Sequence, residues 1–249
     1  MFPTKFIKHS KISNGQYTVT IDLQDIPYSE KFQDLGKIIK KISNDCDDDI
    51  GDIYKYDGKK LTYTSETLFP PKRYVNKQKV LIVFGNPAIH SIKNEMFFFS
   101  RAKSHRHGMW AKLEKANLIK RIRINDDDLF LARDREAEER KKLILLGQAS
   151  EKYCLGLTTF YSFPTPVQGR FRDVKGVEKL FNSILKMVIW PFETKSILSY
   201  PFTKDAILVI VQKSSKKAFK KHSKRRVIFW PVRGKGSSGA DLSKKLSAA

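Results

Sequence analysis

The chain has 249 residues, enough for a sizeable core in one domain with an appendage or in two small domains. It carries 48 Lys and Arg against 26 Asp and Glu, a formal net charge of +22. That excess points to a polyanionic partner, and no apolar run is long enough to span a membrane.

The two cysteines, Cys46 and Cys154, lie far apart and cannot form a Cys-rich zinc or iron–sulfur site. They read as free thiols in a reducing cytosol. The start, Met1-Phe2-Pro3-Thr4-Lys5, lacks the apolar core of a secretion signal.

Gln16–Leu23 alternates polar and apolar residues, as a half-buried strand does. Ser29–Ile42 places Phe32, Leu35, Ile38, Ile39 and Ile42 at helical spacing. Asp57-Gly58 between two Tyr- and Thr-rich runs predicts a hairpin. Residues 1–75 therefore read as a small α+β extension, with Pro70-Pro71 at the entry to a main domain, 76–249. There the pattern changes to strands near 79–84, 153–159, 206–211 and 227–230. Helices are expected at about 105–118, 132–148, 174–188 and 214–223. Such alternation predicts the α/β class, a mostly parallel sheet with helices on both faces.

Val80–Phe84 is an uncharged run of the kind buried on both faces. It leads into Gly85-Asn86-Pro87-Ala88, where Pro87 forces a turn. Asn86 is thus delivered to the C-terminal end of a core strand, where open α/β sheets build ligand sites. Its carboxamide offers donors and an acceptor to a heterocycle or a water. Phe97, Phe98 and Phe99 follow. If they form a strand they alternate in direction, two in the core and one available to stack on an extruded base.

Arg101, Lys103 and Arg106 form a basic stretch suited to phosphate. His105 and His107 within it lack the companions of a metal site, so no metal is expected. Lys213–Lys235 holds ten Lys or Arg and no acid. Lys213 and Lys216 open a helix with further lysines around Phe219, and Gly234-Lys235-Gly236-Ser237-Ser238 reads as a flexible loop. Both suit a nucleic-acid backbone. The acidic runs Asp45–Asp52 and Asp126–Asp128 lack calcium-loop spacing and read as solvated turns. No phosphate-loop, serine-elbow or His-Glu-x-x-His motif is present.

Taken in order, these pieces resemble the uracil-DNA glycosylase superfamily, nearest to its mismatch-specific uracil/thymine branch. Gly85-Asn86-Pro87-Ala88 is similar to that branch's Asn-Pro-Gly. Arg106-His107-Gly108-Met109-Trp110 is similar to its Arg-x-Trp helix start. Leu155-Gly156-Leu157-Thr158, with Pro164-Thr165-Pro166, is similar to its Gly-Leu-Thr strand end and the segment beyond. Val227–Ala240 resembles its last strand and wedge loop.

The resemblance implies an α/β/α sandwich on a four-stranded parallel sheet, and a monofunctional hydrolase that extrudes a deaminated or mispaired base and needs no cofactor. It implies that Asn86 places water or binds the base, with Gly85, Pro87 and Ala88 forming the pocket wall. One of Phe97, Phe98 and Phe99, foremost Phe98, stacks on the base. The loop from Gly234 through Ala240 fills the gap in the duplex. Arg233 stands near the family's second polar motif, where its cation can oppose charge on the leaving base. DNA is the expected partner, as a duplex with a lesion or as a single strand. The expected protein is a monomer associated with cytoplasmic DNA. A binding module without catalysis is the alternative, and an enzyme for a small anionic metabolite is a third reading.

Overall fold

The computed structural model describes residues 7–10, 12–24, 35–44, 50–70, 76–100, 107–182 and 185–249. The chain is of the α/β class, and its described residues form two compact units interleaved along the sequence. The first draws on the chain as far as Thr67, on Gly85–Phe97 and on Thr159–Glu193. The second draws on Leu68–Phe84, Phe98–Thr158 and Thr194–Ala249.

The first unit contains an antiparallel sheet of β1 (Ile7–His9), β2 (Gln16–Asp22), β3 (Tyr54–Tyr56) and β4 (Lys60–Leu68). The alternation in β2 buries Tyr17, Val19 and Ile21 on one face, with Val19 opposite Tyr63. The β3–β4 hairpin turns at Asp57-Gly58, as the sequence predicts. The Asp57 carboxylate accepts the amides of Lys59 and Lys60 at 2.8 and 2.6 Å. Those bonds hold its pKa below the ordinary value, and Gly58 supplies the φ of +90° that the turn requires. The predicted helix at 29–42 is observed as α1 (Leu35–Asn44); its earlier part lies outside the described residues. The unit also holds α2 (Ile89–Lys93), α5 (Asp173–Phe181) and a π-helical turn, Leu185–Ile189.

The second unit contains β5 (Gln78–Phe84), β6 (Tyr153–Thr159), β7 (Ile207–Ile210) and β8 (Val227–Phe229), in the order β6-β5-β7-β8. β5 runs parallel to β7 with Ile82 beside Val209, and β7 parallel to β8 with Val209 beside Ile228. Val80, Leu81, Ile82 and Val83 are fully buried, which is why that stretch shows no alternation. Helices α3 (Gly108–Lys115), α4 (Leu129–Leu145), α7 (Lys213–His222) and α8 (Gly239–Ser247) belong here. α8 packs on α3 closely enough that a Cβ on Gly239 would stand 2.2 Å from the Lys112 carbonyl oxygen. Among the described residues no helix is long and apolar enough to cross a membrane.

Several expectations are corrected. The described residues hold eight strands in antiparallel and parallel pairs, not four mostly parallel ones. The strand expected at Gln16–Leu23 and the hairpin at Asp57-Gly58 are both present, as β2 and as β3 with β4. Phe97–Phe99 forms a turn, not a strand, and Phe98 sits at φ +53°. The helix expected over 174–188 stops at Phe181, and an unpredicted helix α6 follows at Trp190–Ser199. Pro191 lies in the first turn of α6, directly after the π-helical turn Leu185–Ile189. The glycine-rich segment becomes helical at Gly239. Ser238 caps α8 by accepting the Asp241 amide while the Asp241 carboxylate accepts from the Ser238 backbone and hydroxyl.

Candidate functional site

In the first unit the chain leaves β5 at Gly85 and turns at Asn86-Pro87. A second segment, Tyr161–Thr165, runs beside it. The Tyr161 amide donates to the Gly85 carbonyl at 2.8 Å, and the Thr165 amide to the Pro87 carbonyl at 3.1 Å. The Ile89 amide donates to the Thr165 carbonyl at 3.1 Å, so Ala88 and Thr165 form a parallel bridge. Ala88 takes an ordinary extended backbone, φ −92° and ψ 141°, so glycine is not required there.

This frame fixes Asn86, which is half-buried. Its Nδ2 donates to Thr165 Oγ1 at 2.7 Å and to the Pro87 carbonyl at 3.1 Å. Both amide protons are therefore engaged. Oδ1 makes no hydrogen bond to a described residue. The group presents an acceptor and no donor, which narrows the sequence reading of a carboxamide able to do both. Gly85, Pro87 and Phe97, all buried, complete what this unit supplies of the expected pocket.

Phe98 and Phe99 belong to the second unit. Phe99 is buried, with the Arg133 guanidinium 4.5 Å from its ring centre. Phe98 is half-buried, and its ring stacks on His107 with centroids 5.0 Å apart and planes 25° apart. The edges of Phe84 and Trp110 bracket it at 4.6 and 6.0 Å. A positive φ at a bulky residue is strained by about 1–3 kcal/mol and persists only where packing over-determines it. His107 is itself fixed, because its Nδ1 accepts the Met109 amide at the start of α3.

The basic candidates fall into three groups. Arg101, Lys103 and Arg106 lie outside the described residues. Lys213 and Lys216 are exposed on α7, as are Lys217, Lys220 and Lys221, while Ser215, Ala218 and Phe219 face the core. Among the described residues no ion pair involves a lysine of α7. Arg233, Gly234 and Lys235 are exposed in the loop after β8, and Gly236 and Ser237 are half-buried. Gly234 and Gly236 sit at φ +85° and +77°, a backbone that favours glycine. Ser238 is engaged in the helix cap, and Trp230 Nε1 donates to its carbonyl at 3.1 Å. Asn86 lies in the first unit and Arg233 in the second. Among the described residues no three His, Cys, Asp or Glu side chains cluster to hold a metal ion.

Sequence reasoning noted Thr165 only within Pro164-Thr165-Pro166 and assigned it no role. It missed Glu193, a carboxyl only 5 % exposed whose Oε1 accepts from the Ser162 amide and hydroxyl at 3.0 and 2.6 Å. Burial pushes that carboxyl from its ordinary 4.5 up to about 7, against the opposing pull of the two Ser162 bonds. Nothing in a lone Glu between Phe192 and Thr194 signals this, because its partners are distant in sequence. Set against models of protein families, curated proteins and solved structures, the chain matches none of them.

Proposed function

We propose that the chain is a glycosylase-like DNA protein that takes a uracil, or another deaminated or mispaired base, out of the helix and hydrolyses its N-glycosidic bond. The observation that supports this is the Asn86 carboxamide, held by Thr165 and Pro87 so that only its oxygen is presented. An acceptor of that kind orients a water through one O–H and leaves its lone pair for the anomeric carbon. The water oxygen bonds to C1′ and the C1′–N bond breaks. The bonding electrons leave with the base; one water proton stays on the new C1′ hydroxyl, and the other passes through solvent to the departing anion. A carboxamide is too weak a base to take the proton itself, so this chemistry is slow. The sequence resemblance gives Arg233 the part of opposing negative charge on the leaving base. Phe98, half-exposed and backed by His107, is the stacking candidate. No cofactor enters the scheme.

In this reading β6-β5-β7-β8 is the parallel sheet of an α/β/α sandwich. The protein acts as a monomer on cytoplasmic DNA. Extrusion is least costly at mismatches and in single strands, which makes those the preferred substrates.

The test is alkali-labile cleavage of oligonucleotides carrying uracil, hypoxanthine or a thymine mispair. The expected result is slow base release, lowered at least ~100-fold by Asn86→Ala with DNA affinity nearly unchanged. The exposed lysines of α7 also favour a second reading, a module that grips nucleic acid without cleaving it. Absence of base release from every substrate, together with salt-sensitive binding, decides for that reading.

A further inference from the structure

The antiparallel sheet of the first unit sends four side chains to the two segments that build the Asn86 turn. Asn14 Nδ2 donates to Glu95 Oε2 at 2.6 Å, and Gln16 Nε2 to the Ile92 carbonyl at 2.6 Å. These secure the far end of the 85–97 segment. The Tyr54 hydroxyl donates to the Pro164 carbonyl at 2.6 Å, and the Tyr63 hydroxyl lies 2.9 Å from Ser162 Oγ. These secure the segment that carries Thr165.

The second pair has a defined direction. Ser162 has one hydroxyl proton, and it goes to Glu193 Oε1 at 2.6 Å. Tyr63 must therefore be the donor to Ser162, in a chain running Tyr63 to Ser162 to Glu193. The Tyr54 bond acts on a peptide plane. The carbonyl of Pro164 and the amide of Thr165 belong to one rigid unit. Tyr54 holds the oxygen end and the Pro87 carbonyl accepts from the nitrogen end. With both ends fixed, the Thr165 Cα is fixed, and Oγ1 is placed 2.7 Å from Asn86 Nδ2.

Tyr54 and Tyr63 are 5 and 3 % exposed, and both rings pack on Phe163 at 5.3 and 5.0 Å. Phenylalanine would fill the same space without the cost of burying a hydroxyl. Both hydroxyls are used on one short stretch, Ser162–Pro164, directly before Thr165.

We propose that Tyr54 and Tyr63 are positioning residues: through the Ser162–Thr165 segment they hold Asn86 with its oxygen presented, and this is the task of the N-terminal sheet. The catalytic consequence rests on the glycosylase reading, whereas the positioning is a property of the Asn86 side chain and can be measured without it. The experiment uses the full chain with Tyr54→Phe, Tyr63→Phe and both together. The side-chain amide protons of Asn86, assigned by the signals that vanish in Asn86→Ala, are followed by NMR exchange with water. In the double variant their exchange should quicken about tenfold or more, while each ring contact is kept. Base release from a uracil oligonucleotide should fall about tenfold in kcat with KM unchanged, the signature of a displaced reacting group. Asn86 protons as protected in the folded double variant as in the parent overturn the proposal, whatever the activity. If the double variant does not fold, Tyr54→Phe alone decides by the same reading. A parent protein that releases no base, with exchange that still quickens in the variant, removes the glycosylase reading and leaves the positioning intact.

Discussion

The first unit encloses ionisable groups: Glu193 and Glu66 are 5 and 3 % exposed, and the half-buried His9 lies between the rings of Tyr17 and Phe192. The second unit buries an apolar centre at β5 and β7, together with Arg140, which pairs with Glu136, and displays a row of lysines on α7. A buried polar group costs stability unless bonded, so a protein that keeps several in one place holds a local geometry by them. An exposed cation holds no geometry, because water and salt screen it, but it attracts polyanions from a distance. Under the proposed function, the first unit places the reactive group and the second captures the charged partner.

The largest effect should come from the second unit. Replacing Lys213, Lys216, Lys217, Lys220 and Lys221 with Gln should weaken duplex DNA binding at least ~100-fold at low salt. The slope of log K against log salt should flatten by up to roughly 4.5, at about 0.9 for each phosphate no longer neutralised. Melting should move little, because among the described residues these side chains make no ion pairs, and the contact of Lys216 with the Phe229 ring, at 4.8 Å, lies at the surface. Fluorescence anisotropy across a salt series reads both quantities. An unchanged slope breaks the assignment of capture to α7.

The next test concerns the first unit. Burial raises Glu193 from 4.5 to about 7 and lowers His9 from 6.5 to about 4. The raised carboxyl favours folding below pH 4.5 and loses that contribution as pH rises to about 7. The lowered imidazole does the reverse: its contribution is present above 6.5 and is lost as pH falls toward 4. Between pH 4.5 and 6.5 the two slopes oppose each other and nearly cancel. Glu193→Gln keeps an acceptor for Ser162 and removes one of the slopes. Its stability should fall by ~2 kcal/mol from pH 6.5 to 4.5, while the parent stays comparatively flat. Urea titrations at four or five pH values measure this. A variant as flat as the parent means that the two groups are not buried as described.

What the sequence made legible follows the same division. Val80–Phe84 and Ala206–Val211 read as core strands because burial on both faces leaves an uninterrupted apolar run, and both are strands of the second unit. Gln16–Leu23 read as a strand from its alternation, but no local signal told which strand it pairs with. The turn at Asn86 was legible because proline and asparagine carry their own backbone preferences. Thr165, Tyr54, Tyr63 and Glu193 were not, since their roles arise from contacts 79, 110, 99 and 31 residues apart in sequence. The Phe97–Phe99 turn escaped because a left-handed Phe98 contradicts its own preference and is imposed by the rings around it. Helix α8 escaped because its glycine-rich approach masked the capping pair Ser238 and Asp241.

The smallest predicted effect separates two neighbours in the basic run, and so tests whether all of that run is for capture. Arg225 is half-buried and donates to the carbonyls of Thr203, Lys204 and Ala206, which hold the 3₁₀ turn Pro201–Asp205 before β7. Arg226 is exposed. Three carbonyls around one planar guanidinium make a structural anchor, and an ammonium cannot fork in the same way. Arg225→Lys should therefore lower stability by about 1–2 kcal/mol, discounted for its partial exposure, and leave the DNA salt slope as it was. Arg226→Gln should do the opposite: melting stays within ~0.5 kcal/mol, and the slope falls by a fraction of the share of one phosphate. Thermal melts and the same salt series decide between them. If Arg225→Lys weakens DNA binding without lowering stability, the carbonyl hydrogen bonds are incidental. The whole of Lys213–Lys235 then belongs to the capture surface.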